Sequence, residues 1–295
     1  MQAERGAPDA PSSLACLASP GITVRMVAVE VPEIDLELAS AITDRDYARA
    51  SELLDRGARI DRVIRTFETF DRDVVEETRT YLINAATRGD AETVKFLLEH
   101  GADPNIPGTY SGRTALLAAA AYGYAAVVDL LLAHGADVAA IDRYDAQTAI
   151  AYATAKVRPP IVRSLLVAGA KGRFRRFGFS VDGGAPAREV VRLLVEHGAD
   201  INEVDDWGRT PLMWAAQYAD GDTIQLMIEL GADVNRVSEP NMNGVRSDET
   251  ALGLARKRER VEVVALLRRH GARESPSTGR GRAGLLARVW KAVAG

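Results

Sequence analysis

A leucine-rich pair followed by Gly-Ala recurs seven times along the chain, with its glycines at Gly57, Gly101, Gly135, Gly169, Gly198, Gly231 and Gly271. The intervals are 44, 34, 34, 29, 33 and 40 residues. No other feature constrains the fold as strongly. A unit of about 33 residues cannot bury an apolar face alone, so it must stack on copies of itself. The 295 residues are therefore read as one extended array.

The unit is most complete in two places. In the first, Gly112-Arg113-Thr114-Ala115-Leu116 runs through Ala119-Ala120, Gly123 and Val128 to Leu131-Leu132 and His134-Gly135-Ala136-Asp137. In the second, Trp207-Gly208-Arg209-Thr210-Pro211-Leu212 runs through Ala215-Ala216 to Leu230-Gly231-Ala232-Asp233-Val234-Asn235. Thr114 and Thr210 can cap a helix start, and Pro211 stands at the first helical position, where its missing N–H costs nothing. The alanine pairs let two helices approach closely. Val128, Leu131 and Leu132 share one helical face, which predicts burial. The glycine after each second helix can adopt the left-handed conformation that ends it.

This pattern resembles the ankyrin repeat: a turn, a first helix opened by Thr-Pro-Leu, a second helix and a Gly-ended loop. Weaker copies run from Thr80 to Asn105, Thr148 to Ala170 and Thr250 to Ala272. The resemblance implies an all-α fold, an ankyrin-repeat solenoid of stacked helix pairs with β-turn or hairpin loops, irregular insertions and a short C-terminal amphipathic helix. The expected organisation is a flexible N-terminal segment over 1–33, about seven units over 34–273, degenerate at 34–61 and 171–202, and a linker with a basic amphipathic helix over 274–295. The first unit has a polar outer face (Asp44, Arg45, Asp46) and the last has Arg268 where leucine is expected, as terminal caps require.

Three stretches break the period. Arg62–Arg79 is about eleven residues too long, the unit at Lys171–Ala187 is about four too short, and Ser238–Asp248 is an Asn/Gly-rich lengthening of a turn. Five of the six phenylalanines lie in the first two: Phe67, Phe70, Phe174, Phe177 and Phe179. Large rings are most often buried, so these are expected to fill gaps where a regular helix is missing; a protruding aromatic contact site is the sharper alternative. Lys171, Arg173, Arg175 and Arg176 make the second stretch basic, which allows an acidic partner or a single-stranded nucleic acid at 171–176, against an acidic whole.

Catalytic and metal chemistry find no support. His100, His134, His197 and His270 each precede a repeat glycine, so they sit at equivalent points along the stack and do not converge as metal ligands must. Bonding to the last helical carbonyls is expected instead. Gly279–Gly284 spells GxGxxG without a strand before it, and Gly178–Asp182 falls short of GxSxG. Asp103, Asp137, Asp200 and Asp233 recur with the period and are structural. No cofactor is expected. The net charge of -4 argues against a nucleic-acid coat, and no apolar run reaches the ~18 residues of a membrane span. Cys16 is the only cysteine, consistent with a reducing, cytoplasmic setting. Only five of the 37 basic residues are lysine, a bias expected of a GC-rich, bacterial source.

The expected function is protein–protein interaction by a monomer that acts as scaffold, inhibitor or protective partner. Alternatives are a secreted or host-directed effector targeted by the Phe/Arg insert or the C-terminal helix, which could also touch an anionic membrane, and nucleic-acid binding through 171–176. The family resemblance implies a concave binding strip at the turn tips and the exposed end of each first helix. Mapped onto this chain, its candidates are Arg88, Tyr110, Arg113, Tyr122, Tyr144, Trp207, Arg209 and Tyr218. Tyr, Trp and Arg are the types enriched at binding hot spots. For Tyr122 and Tyr218, packing on the adjacent unit is an equal reading.

Overall fold

The computed structural model describes residues 32–70, 73–143, 146–174, 184–241, 243–244 and 248–274, with the backbone alone at 63–77. Thirteen helices pair up along these residues. They are α1 (Glu33–Thr43) with α2 (Tyr47–Asp55), α3 (Tyr81–Arg88) with α4 (Ala91–Glu99), α5 (Ala115–Tyr122) with α6 (Ala125–Ala133), and α7 (Ala149–Ala155) with α8 (Pro159–Val167). The single helix α9 (Gly184–Glu196) represents the fifth unit, followed by α10 (Pro211–Tyr218) with α11 (Gly221–Glu229) and α12 (Ala251–Lys257) with α13 (Val261–Arg269). First helices stack on first helices (α3, α5, α7; then α10, α12), and second helices stack in an outer row (α4, α6, α8, α9, α11, α13). The result is the all-α stack that the period predicts.

Each local signal acts where the sequence puts it. Thr80, Thr114, Thr148, Thr210 and Thr250 all cap first helices, their hydroxyls accepting the amide N–H three residues on. Each such cap stabilises by about 1 kcal/mol. Ala119, Ala120, Ala215 and Ala216 have no exposed surface, and neither have Leu131 and Val128. His100, His134 and His197 place Nδ1 2.8, 2.9 and 2.8 Å from the carbonyl oxygen four residues back. His270 differs: its Nε2 lies 2.9 Å from Gln225 Oε1.

The position before each second helix serves one of two purposes. Asp46, Asp90 and Asp220 cap their own helix. Tyr124, Arg158 and Arg260 reach back to the preceding unit instead. The Tyr124 ring lies where a Cβ on Gly89 would stand, so only glycine fits there. Arg260 donates to the carbonyl oxygens of Ala215 (3.2 Å) and Ala216 (3.1 Å), and also to that of Ala219. A cation thereby meets the negative end of α10.

The loops carry a second set of bridges. Asp103, Asp137, Asp200 and Asp233 each accept the N–H two residues on at 2.8 Å. Where that residue is asparagine it also links units. Asn105 donates to Gly135 O and accepts from Asp137 N–H. Asn202 does the same with Gly231 and Asp233, and Asn235 with Gly271 and Arg273. Asp61 accepts from Asp103 N–H at the first junction. Ala139 and Arg173 occupy the asparagine position on either side of the fourth unit, so the ladder lapses there, at one junction of regular period and at the short one that follows.

The three irregular stretches fare differently. The long insertion is an antiparallel ribbon, β1 (Val63–Phe70) with β2 (Asp73–Thr80), in register from Val63 opposite Thr80 to Phe70 opposite Asp73. The period marks this stretch only as an irregular insertion, and the structure gives it two paired strands. Thr109 anchors its base, with Thr78 N–H donating to Thr109 Oγ1 and Thr109 N–H to Thr78 O. In the short unit, Phe174 is buried, as the gap-filling reading expects, and a Cβ on Gly172 would come within 2.6 Å of Leu194. Phe177, Phe179 and the GxSxG near miss lie outside the described residues. So do the N-terminal segment to residue 31, the C-terminal segment from 275 with its GxGxxG match and amphipathic helix, and Cys16.

The first unit is closed by a buried ion pair. Asp35 is 2% exposed on α1. It accepts Arg59 N–H at 2.9 Å and Arg62 Nη1 at 2.5 Å, while its own carbonyl accepts the Tyr81 hydroxyl. Burial alone would raise its pKa, but the Arg59 amide and the Arg62 guanidinium outweigh it and hold the carboxyl below the usual range. Asp90 and Asp220 are shifted the same way.

Two expectations follow. A carboxylate lowered on folding adds stability above its unfolded pKa of about 3.9, and that stability is lost as pH falls through the folded pKa. The array should therefore unfold progressively in acid, and Asp35→Asn should cost about 3–5 kcal/mol at neutral pH while flattening the acid limb. Urea titrations between neutral and acid pH read both; equal stability of the variant would contradict the ion pair's role. Ala139→Asn should restore the missing loop bridge and raise stability by about 1 kcal/mol. An unchanged urea midpoint would show that the third and fourth units are not spaced for it.

Candidate functional site

The eighth residue after each capping threonine ends or follows a first helix. These residues are Arg88, Tyr122, Lys156, Tyr218 and Arg258, and all five are exposed. Arg88, Tyr122 and Lys156 follow one another along the stacked α3, α5 and α7, and Tyr218 and Arg258 along α10 and α12. Tyr122 is 48% and Tyr218 37% exposed, and the turn tips add Tyr110 at 43% and Trp207 at 57%. Four exposed rings gathered at turn tips and first-helix ends mark a candidate contact surface, whereas the other exposed large apolar side chains, such as Leu36, Val167 and Val261, are aliphatic and scattered.

The sixth and seventh units hold the most developed part of the strip. Asp205 organises the turn, with Oδ1 accepting the N–H groups of Trp207 and Arg209, both at 2.9 Å, and Oδ2 accepting Trp214 Nε1 at 2.5 Å. Gly208 has φ +72°, and a Cβ there would meet the Glu239 carbonyl oxygen at 2.0 Å, so the tip can pass only as glycine. Trp207 meets Trp214 edge-on at 5.9 Å, and Trp214 stacks on Tyr218 at 6.3 Å. The Arg209 guanidinium lies 4.8 Å from the Trp214 ring, and that of Arg258 lies 5.2 Å from Tyr218 while donating to its hydroxyl at 2.9 Å. Rings and cations thus alternate across two units.

The structure brings most of the expected residues to this face but assigns them different tasks. Tyr110, Tyr122, Trp207, Tyr218 and Arg88 present exposed side chains. Arg113 and Arg209 are half-buried. Arg113 donates to the Tyr152 hydroxyl at 3.1 Å and lies over that ring, while Tyr152 donates to Asp142. Arg209 donates to Glu249 from Nε at 3.1 Å and Nη2 at 2.5 Å. Both arginines brace the strip from beneath. Ser111 and Gln147 in the neighbouring turns are buried, and Tyr144 lies outside the described residues. Trp214, Tyr152 and Glu249 escaped the sequence reading. Trp214 and Tyr152 share one repeat position, the fourth after the threonine, which was the available signal. Tyr218 meets the adjacent unit through Arg258 and its own helix through Trp214 while staying exposed, and Tyr122 pairs with Tyr124 of its own unit at 6.4 Å.

Glu249 binds two cations. Lys257 Nζ reaches its other oxygen at 2.8 Å. Burial favours the neutral acid, but Lys257 and Arg209 prevail and hold the carboxyl below its usual range. Among the described residues, no group of three or more His, Cys, Asp or Glu side chains is placed to hold a metal ion, and no helix is long and apolar enough to cross a membrane.

A family model of three ankyrin repeats matches residues 49–142, 82–175 and 183–238, which together make up more than half of the chain. The chain belongs to the ankyrin-repeat family. The ankyrin-repeat domain of human ASB11 is similar in structure, with a TM-score of 0.58 and 24% identity over 80% of this chain and 98% of that one. That of Bcl-3, a member of the IkappaB protein family, gives 0.53 and 30% identity over 66% and 88%. No curated protein matches the sequence. Ankyrin-repeat arrays are generally protein–protein interaction modules and are typically non-catalytic.

The bracing role has a measurable consequence. Glu249→Gln should cost about 1–3 kcal/mol, because Arg209 is left half-buried without its anion. Lys257→Ala should cost no more than about 0.5 kcal/mol, since its ammonium is largely in water. Thermal unfolding of both variants checks the ranking, and the reverse order would contradict it.

Proposed function

We propose that this ankyrin-repeat protein captures a partner protein by stoichiometric binding on its concave strip, acting as a scaffold, inhibitor or protective partner rather than as an enzyme. One observation carries the reading: Tyr110 and Tyr122 of one unit and Trp207 and Tyr218 of another stand exposed at turn tips and first-helix ends, beside half-buried bracing arginines. Rigid aromatic side chains give large contact area for little conformational entropy, which is what a binding hot spot requires. The single cysteine and the arginine-rich composition support a reducing cytoplasm, bacterial by that bias, as its setting.

Affinity capture from native lysate tests this. Trp207→Ala with Tyr122→Ala removes two exposed rings without opening the core, so helicity should persist. The intact chain should retain a protein that the double variant loses. Equal retention by the folded variant would place the binding surface elsewhere.

A further inference from the structure

The five threonine-capped first helices differ from the rest of the chain in charge, whereas α1 of the first unit carries Glu33, Asp35 and Glu37. Among α3, α5, α7, α10 and α12 there is no Asp or Glu, only Arg88, Arg256 and Lys257. Lys156 and Arg258 follow α7 and α12 directly. The outer helices carry the acids, such as Glu99, Asp129, Asp222 and Glu229. In a chain of net charge -4 these capped first helices themselves carry no negative charge, while Asp90, Asp220 and Glu259 lie in the turns just beyond them.

Part of this positive charge is already neutralised. Arg256 pairs with Glu274 at 2.6 Å and Lys257 with Glu249 at 2.8 Å. The row cations are not. Among the described residues, Arg88 and Lys156 meet no carboxylate, and Arg258 donates to the Tyr218 hydroxyl. Tyr122 stands between Arg88 and Lys156 on the stacked α3, α5 and α7, and Tyr218 lies beside Arg258 on α10 and α12.

We infer that the occupant of the strip is an acidic segment of a partner protein, bound in extended form across the helix ends. The inference rests on the concave-surface reading above and adds the chemistry of the ligand. Stacked helices lie roughly 8–10 Å apart, so cations two units apart, as Arg88 and Lys156 are, stand roughly 16–20 Å apart. An extended chain covers that span in about five or six residues. The ligand therefore carries carboxylates at about that spacing, with apolar or aromatic side chains between them for Tyr122 and Tyr218. The acids at the turn tips, Asp206 and Asp248, are already engaged, which keeps the path on the helix ends. Repulsion from the acidic remainder of the chain orients such a ligand on this face alone. A nucleic acid fits poorly, because it carries a phosphate at every nucleotide and needs a denser track of cations.

Selection from a display library of random peptides about sixteen residues long, on the full chain and on Arg88→Glu/Lys156→Glu/Arg258→Glu, tests the assignment. The intact chain should enrich sequences rich in Asp and Glu, the charge-reversed chain should enrich basic ones, and an acidic winner should bind the variant about 10-fold or more weaker. Arg88→Gln/Lys156→Gln/Arg258→Gln, which adds no repulsion, should fall between. Neutral or basic winners on the intact chain, or no winner, overturn the acidic ligand, as does a dT20 oligonucleotide that outcompetes the winners. If non-acidic winners still lose binding on Trp207→Ala/Tyr122→Ala, the strip is the site and only its ligand was misassigned. If winners ignore both sets of variants, the concave reading itself fails.

Discussion

The interface between successive units decides everything else in this molecule. A helix pair of eight and nine residues, such as α5 and α6, has no interior of its own. Ala119 and Ala120 are fully buried only because α3 and α7 lie on either side of α5. The small side chains bring backbones close, the threonine caps and repeat glycines fix where each helix starts and stops, and the Asn105, Asn202 and Asn235 amides tie each loop to the next. The same geometry aligns equivalent residues of every unit in rows. A binding strip is then a matter of which side chains occupy a row, and it can vary without disturbing the stack.

The inner row shows that division of labour. Positions directed at neighbouring helices hold Ala, Leu, Val and Met, while the eighth position after the threonine alternates arginine or lysine with tyrosine. The half-buried arginines one residue before the threonine cost stability unless paired, and Tyr152 and Glu249 of following segments supply the partners. Rigidity beneath the exposed rings lowers the ordering cost of binding. The asparagine ladder lapses on both sides of the fourth unit. There the chain relies on Phe174 and on the tight passage of Gly172 past Leu166 and Leu194.

Much of this was legible in the sequence, for a physical reason. Thr114, Gly135, His134 and Asp137 act through local hydrogen bonds within a few residues, and the period repeats the message seven times. What was missed depends on contacts that periodicity does not encode. Asp35 reads as a surface acid on an amphipathic helix, yet its partners arrive 24 and 27 residues later. The ribbon at Val63–Thr80 falls outside the repeat, which marks it only as extra length, although its β-branched and aromatic content carries a strand signal. Arg113 and Arg209 were recognised by type and position. Their engagement depends on neighbours, Tyr152 and Glu249, that no single unit reveals.

Amide hydrogen exchange on the intact chain, with and without its captured partner, tests the concave-surface account most directly. The account predicts added protection at the ends of the first helices and at the turn tips, around Arg88, Tyr122, Trp207–Tyr218 and Arg258, with the outer helices α4, α6 and α11 unchanged. Protection confined to those outer helices, or to the loops that follow them, would contradict it.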